Sequence, residues 1–510
     1  LNEIIGSAFV PGEGSPPRPP GQVRTAALPL ALILILAAFL RFFRIGNQSF
    51  WADEVLSVDA LSPAHYGLSH NFHGPLHAVL LQFWSIWGGV GDVWLRSLSA
   101  VLALLTIPLL YLLARRLIDH RTGLLAAFLL AVSPFHVWYS QEVRNYSLLI
   151  LLVVLSQILF LAVMARPSRR NWILYGACSS LALLSNLSAG FLILAQGSYL
   201  LFRRRELLAA YVLTMAAVAL LLLPWLRNIE LYWSPDLVGQ HGALRNTNFH
   251  PLAFPFTFSV FSIGFTVGPS LDELNRHPSL RSVLPFAWYF VTFGLTFGWL
   301  LFRGIRRVWG RSQGALFYAI WILVPLLAVS ALAVLNVKVF NVRYVAAAFP
   351  AYIVLIAAGI NARNRGVMIV FLTLVTIASG ISLYRYYTNP RYWKPDARSA
   401  ARYVEARALP GDAVRVYSIP EPFLYYYHGP TAGRLPWNLF DKEGNIDAFL
   451  DTLAVSSKRL WLIDYRAWYE DPEGKLPRRL RERWIQLERK EFVGVTVYLY
   501  EAPLERIGGR

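Results

Sequence analysis

The chain has 510 residues, 56% of them hydrophobic, against about 45–50% in an ordinary soluble domain. That composition excludes a soluble enzyme and indicates a polytopic membrane protein. The net charge of +18 sits in short loops between apolar runs, an orienting pattern for membrane spans, and the absence of a basic stripe with interleaved aromatics elsewhere argues against nucleic acid as a partner.

Residues 1–22 are rich in Gly and Pro, with Pro16-Pro17-Arg18-Pro19-Pro20, and are expected to form a disordered cytoplasmic tail. Ala26–Leu40 is the first apolar run, flanked by Arg24, Arg41 and Arg44. No small-residue cleavage site follows it, so it reads as an uncleaved span rather than a signal peptide. A first outer loop, 45–90, opens with Phe50-Trp51-Ala52-Asp53-Glu54 and ends in the apolar stretch Pro75–Gly88. A span takes about 20 residues, so this shorter stretch reads as a helix lying at the interface.

Further apolar runs cover 95–114, 122–139, 146–165, 172–186, 188–202, 207–226, 283–302, 314–335, 344–361 and 366–385. Every second loop between them is basic: Arg115, Arg116 and Arg121, then Arg166, Arg169 and Arg170, then Arg203–Arg205, then Arg303, Arg306, Arg307 and Arg311, then Arg363 and Arg365. The positive-inside rule puts these loops in the cytoplasm and the alternate ones outside. About 11 spans follow, with the N-terminus inside and a catalytic helical domain over 23–387. If 75–88 crossed the bilayer, Asp53 and Glu142 would lie on opposite faces. The single cysteine, Cys178, allows no intrachain disulfide and leaves the redox compartment unread.

Residues 388–510 are more charged and read as a small extracytoplasmic α/β domain. Helical spacing covers Ala397–Ala408, Phe449–Val455 and Leu480–Arg489. Strand patterns cover Ala413–Ser418, Leu460–Asp464 and Gly494–Tyr500. No phosphate-cradling glycine motif occurs there.

Several outer-face residues could carry chemistry. Asp53 and Glu54 follow two aromatics that favour the membrane boundary, where a carboxylate can serve as a base; plain solvated loop carboxylates are the alternative. Ser140-Gln141-Glu142-Val143-Arg144-Asn145-Tyr146 opens a long apolar helix and could grip a polar acceptor, or simply cap that helix. His73 precedes the Pro75 helix start, where an imidazole and a helix N-terminus suit an anion. Arg343-Tyr344 opens a late span, and Arg has the fork geometry that phosphate prefers; a snorkelling anchor is the alternative. The long outer loop, 227–282, holds His241, His250 and His277 among carboxylates. Their spacing is not diagnostic, so no cofactor is required and a divalent metal stays open.

The joint order of these residues carries a resemblance. Trp51-Ala52-Asp53-Glu54, His73-Gly74-Pro75-Leu76, Arg96-Ser97-Leu98-Ser99-Ala100, Ser133-Pro134, Ser140-Gln141-Glu142-Val143-Arg144-Asn145-Tyr146 and Arg343-Tyr344 occur in that sequence. The chain resembles GT-C glycosyltransferases of the protein O-mannosyltransferase and aminoarabinose-transferase type over most of 25–385. The resemblance implies a multi-pass protein of the bacterial inner membrane that takes a polyprenyl-phosphate-sugar donor. It implies inverting transfer at the outer face to a protein, lipid or glycan acceptor. Asp53 then matches the catalytic carboxylate, with Glu54 beside it, and Glu142 matches a second acidic position. His73 falls where relatives place a His or Lys near the lipid phosphate, and Arg343 matches a phosphate-binding Arg. Arg144, Tyr146 and Tyr344 complete the donor-binding set. Relatives commonly carry two prolines after the His73 position, where this chain has Gly74-Pro75. A transporter or flippase of lipid-linked sugars is the rival reading. It calls for polar residues in mid-span, for which Gln157 and Gln196 are the main candidates.

Overall fold

A computed structural model describes residues 21–62, 74–226, 249–276, 279–311, 314–430, 432–436, 438–441 and 443–503. The chain divides into two compact units. A helical unit comprises Leu1–Ile45, Ala60–Gly268 and Pro285–Arg385. A sheet unit comprises Gly46–Asp59, Pro269–Leu284 and Tyr386–Arg510. The Phe50–Glu54 stretch therefore folds with the C-terminal sheet.

Among the described residues, seven helices are long and apolar enough to cross a bilayer: Asp92–Leu117, Tyr146–Ala165, Arg205–Trp225, Arg281–Val308, Gly314–Val334, Val342–Ile360 and Arg365–Thr388. An eighth crossing, expected as one run over 122–139, is two helices, His120–Val132 and Pro134–Ser140, bent by 56°. Pro134 lacks the N–H that would continue the ladder and clashes with the preceding turn. Ser133 caps the second helix, its hydroxyl accepting from His136 N at 3.3 Å. The carbonyls freed by the break are met by buried Arg41, which donates to Leu130 O at 3.1 Å and Ala131 O at 3.0 Å. Three other expected spans are shorter helices: Ala27–Phe42 in its apolar part, Arg169–Ser185 and Ala189–Arg203. The expected long loop 227–282 contains a helix, Ala253–Ile263. Its aromatic run makes it an inward-packing element, and Phe261 meets the rings of Phe135 and Phe349.

Pro75–Gly88 is helical as expected. At about 1.5 Å per residue it is too short to span. It turns back into Asp92–Leu117 through Gly88-Gly89, and the Trp84 and Trp94 rings stack at 5.2 Å. Each indole N–H donates to the other residue's carbonyl, at 3.1 and 2.8 Å. Gly88 is required because a Cβ there would fall 2.2 Å from the Trp94 ring.

Three of the basic loops meet at one end of this unit. Asp119 caps His120–Val132 by accepting from Thr122 N at 2.8 Å and pairs with Arg307 at 3.1 Å. It also accepts from Asn361 Nδ2 at 3.0 Å, so segments 115–121, 303–311 and 361–365 share a face.

Among the described residues the sheet unit holds five strands in the order β2-β1-β3-β5-β4: β1 Ala413–Val416, β2 Ala432–Arg434, β3 Arg459–Tyr465, β4 Ile485–Phe492 and β5 Val495–Glu501. β1 pairs parallel with β2 and β3, whereas β5 pairs antiparallel with β3 and β4. Side chains alternate along β3. Leu460 and Leu462 join Leu450, Leu476 and Leu480 on one face. Trp461 and Ile463 join Ala400, Val404 and Phe423 on the other. Helices thus cover both sides of the sheet. The expected helix Leu480–Arg489 is corrected: Lys475–Arg483 is helical, and the chain then becomes edge strand β4. Gly494, at φ +66°, sits in the β4–β5 turn, and hairpin pairing overrides the helical propensity of the charged residues.

Candidate active site

In the helical unit the candidate residues gather where the bent helix pair gives way to Tyr146–Ala165. Residues 141–145 form a tight turn between them. Gln141 anchors it by donating to Arg41 O and Phe43 O, both at 2.9 Å. Ser99 donates to Arg144 O at 3.2 Å. Asn145 donates to Ser185 O at 2.6 Å, and Asn186 donates to Asn145 Oδ1 at 3.3 Å. The turn is therefore held by three surrounding segments, and Glu142 within it is only 1% exposed.

The start of the Pro75–Gly88 helix meets the same turn. Gly74 has φ +123°, and a Cβ there would fall 2.5 Å from both Asn145 Nδ2 and Ser185 O. Two helix N-termini, at Pro75 and Tyr146, thus meet around Asn145, and each carries partial positive charge. His77 lies one turn into the first of them and is buried. Burial, reinforced by the positive charge of Arg144, lowers its pKa to about 3, so its imidazole is neutral at physiological pH. His77 lies within an apolar run, so the sequence pattern gives no signal for it. His73 lies outside the described residues, as do His241 and His277.

Arg343 completes this cluster. It lies in a 3-10 turn, Val342–Ala348, with its backbone N–H held by Asn341 Oδ1 at 3.1 Å. Its guanidinium carbon lies 5.9 Å from the Tyr146 ring centroid and 5.3 Å from that of Tyr344. Lys338 approaches the Tyr344 ring at 5.7 Å. Cation–π stacking of this kind fixes a guanidinium while leaving its donors directed. The structure thus brings Glu142, Arg144, Tyr146, Arg343 and Tyr344 into one neighbourhood with Gly74 and Asn145 of the same motifs, and adds His77 and Asn186, which lie outside them. Cations and helix N-termini together suit a phosphate.

In the sheet unit, Ala52–Asp59 is a short helix with Asp53 and Glu54 in its first turn. The adjacent carboxylates have different surroundings. Glu54 is fully buried and pairs with Lys394 Nζ at 3.0 Å. It also reaches back toward Trp51 N, at 3.4 Å, in the manner of a capping-box glutamate. Asp53 is half-buried, and its backbone carbonyl accepts from Ser57 Oγ at 3.1 Å. The segment before the helix is bound to the domain that carries the sheet. Ser49 donates to Asp396 at 2.9 Å, and Arg398 donates to Gln48 O at 2.8 Å. Phe50 N–H donates to the Tyr426 hydroxyl at 2.9 Å. Trp51 lies under the Lys394 ammonium, at 5.7 Å.

Among the described residues, no group of three or more His, Cys, Asp or Glu side chains is arranged to hold a metal. His250 Nδ1 accepts from Leu252 N at 3.2 Å.

Residues 72–227 match the family model of dolichyl-phosphate-mannose-protein mannosyltransferases. Comparison with curated proteins gives no match. Among solved structures, apo ArnT from Cupriavidus metallidurans is similar with a TM-score of 0.59 at 14% identity, covering 96% of this chain and 100% of that one. The same protein bound to undecaprenyl phosphate gives 0.55 at 14% identity, covering 96% and 99%. The oligosaccharyltransferase AglB from Archaeoglobus fulgidus, in complex with an inhibitory peptide and a dolichol-phosphate, gives 0.56 at 14% identity, covering 96% and 76%. The chain has the GT-C fold: a polytopic helical membrane unit followed by a small C-terminal sheet domain.

Proposed function

We propose that this chain is an integral membrane glycosyltransferase. It transfers a sugar from a polyprenyl-phosphate-linked donor to an acceptor hydroxyl at the outer face of the bacterial inner membrane. The observation that carries the reading is Arg343 stacked on Tyr146 beside the Glu142–Asn145 turn, a cationic cluster at helix N-termini within a GT-C fold. The polyprenyl phosphates held by two fold neighbours support the donor class. The match over 72–227 supports sugar transfer.

Asp53 takes the proton of the acceptor hydroxyl as the oxygen attacks the anomeric carbon. The carbon–oxygen bond to phosphate breaks on the opposite side, and the polyprenyl phosphate leaves with the electron pair, so the configuration inverts. The leaving group is already an anion and needs counter-charge rather than an acid, which Arg343, Arg144 and His73 supply. Glu142 grips the acceptor, and the buried Glu54 positions Asp53. Purified protein incubated with a panel of polyprenyl-phosphate sugars should consume at least one and release polyprenyl phosphate. Failure to consume any member in the presence of diverse hydroxyl acceptors would oppose the reading.

A further inference from the structure

The basic end of the helical unit carries a second feature that sugar transfer does not use. A cavity of about 380 Å³ is lined by Trp299, Phe302, Arg303, Arg306, Arg307 and Asn361, with Ala358 and Gly359. It arises because two helices cross with backbones in contact. A Cβ at Gly304 would fall 2.1 Å from Leu355 O, and one at Gly359 would fall 2.0 Å from Leu300 O. With glycine at both close approaches the two helices pack backbone against backbone, and the flanking arginines border an open notch.

The three arginines are not equivalent. Arg307 is committed to the fold, pairing with Asp119 at 3.1 Å and donating to Asn361 O. Arg303 and Arg306 rest on aromatic rings instead, at 5.1 Å from Phe371 and 5.8 Å from Phe302. Among the described residues, neither has a carboxylate within 4.0 Å. Two cations therefore stand beside a third with no anion of their own. Leading into the notch is a stripe at helical spacing, Trp288, Val291, Leu295, Trp299 and Phe302, each at least 48% exposed. An apolar track ending in unneutralised cations at the interface matches an acyl chain joined to a phosphate, and basic pockets between membrane helices commonly take anionic headgroups.

We propose that this cavity binds the phosphate headgroup of an anionic phospholipid, with its acyl chain along the Trp288–Phe302 stripe. Positive-inside orientation places it in the inner leaflet. The site is separate from the proposed catalytic cluster and does not depend on the sugar-transfer reading.

The test is native mass spectrometry of the full chain titrated with phosphatidylglycerol, phosphatidylcholine or inorganic phosphate. Wild-type protein should retain phosphatidylglycerol in preference to phosphatidylcholine. Arg303→Gln/Arg306→Gln should weaken that retention by roughly thirtyfold, about fivefold per charge lost, whereas Arg169→Gln/Arg170→Gln in another basic loop should not. Equal retention by the Arg303/Arg306 variant, or equal retention of the two lipids, would overturn the proposal. Competition by inorganic phosphate at concentrations comparable to the lipid would overturn the lipid assignment in favour of a simple anion site. Both double variants keep Arg307, Asp119 and Asn361, and an unchanged melting temperature verifies that the helix crossing is intact.

Discussion

Lys394 Nζ lies 3.0 Å from Glu54 Oε2, with the two side chains 8% and 0% exposed. Asp53 and Glu54 are neighbours in the sequence, yet this ion pair gives them separate tasks. Removing one partner of a buried pair leaves an uncompensated charge and typically costs about 3–5 kcal/mol. Glu54→Ala should therefore lower the melting temperature of the whole protein by several degrees and expose the sheet unit to protease. Asp53→Asn should leave both unchanged. Equal melting temperatures for the two variants would remove the structural role given to Glu54.

Gly74 holds a backbone conformation that proline cannot adopt. Its φ is +123°, whereas proline is fixed near −65°. Gly74→Pro should displace the Pro75–Gly88 helix from the Asn145 turn and abolish turnover. Gly74→Ala should show a milder loss, since a Cβ also meets Asn145 and Ser185 at 2.5 Å. Steady-state turnover of both variants checks this, and near-normal activity of Gly74→Pro would refute it.

His77 gives a pH dependence. Its pKa falls from 6.5 to about 3 on folding, chiefly through burial and secondarily through Arg144. Between those values the unfolded chain binds more protons than the folded one, so stability rises with pH. The contribution is complete above pH 6.5 and is lost as pH falls toward about 3. His77→Gln should flatten the decline in melting temperature on acidification from neutral pH. An unaltered slope would show that His77 does not titrate in this way.

Arg343 lies between two tyrosines, 5.9 Å from the Tyr146 ring and 5.3 Å from the Tyr344 ring. A lysine keeps the charge but loses the planar stacking and the fork. Arg343→Lys should raise the donor KM about tenfold, and Arg343→Ala should lower kcat/KM by about a hundredfold, as expected for lost charge-assisted bonds to phosphate. Unchanged donor kinetics in Arg343→Ala would remove Arg343 from donor binding.

Much of this architecture is legible in the sequence because bilayer physics is one-dimensional. Run length and alternating Arg loops mark the helices, and Gly88-Gly89 marks where the Pro75–Gly88 helix stops. The Ser140–Tyr146 cluster and Arg343-Tyr344 stand out as polar residues at the ends of apolar runs. The misreadings come from tertiary context. Pro134 splits a run whose hydropathy is continuous. Ala253–Ile263 is too short to register within a polar stretch, and β4 follows hairpin pairing rather than composition. His77 was hidden because its neighbours are apolar. Nothing in the local sequence shows that Phe50–Glu54 folds with residues 394–426, since that association is made by contacts more than 300 positions apart.

The role of Asp53 as base is measured by single-turnover transfer from the polyprenyl-phosphate sugar that the wild-type protein consumes, with wild type and Asp53→Asn side by side. Asp53→Asn should bind the donor with wild-type affinity and melt at the wild-type temperature, while transfer falls at least a hundredfold, the scale of a lost general base. Transfer by Asp53→Asn within a fewfold of wild type would contradict that role.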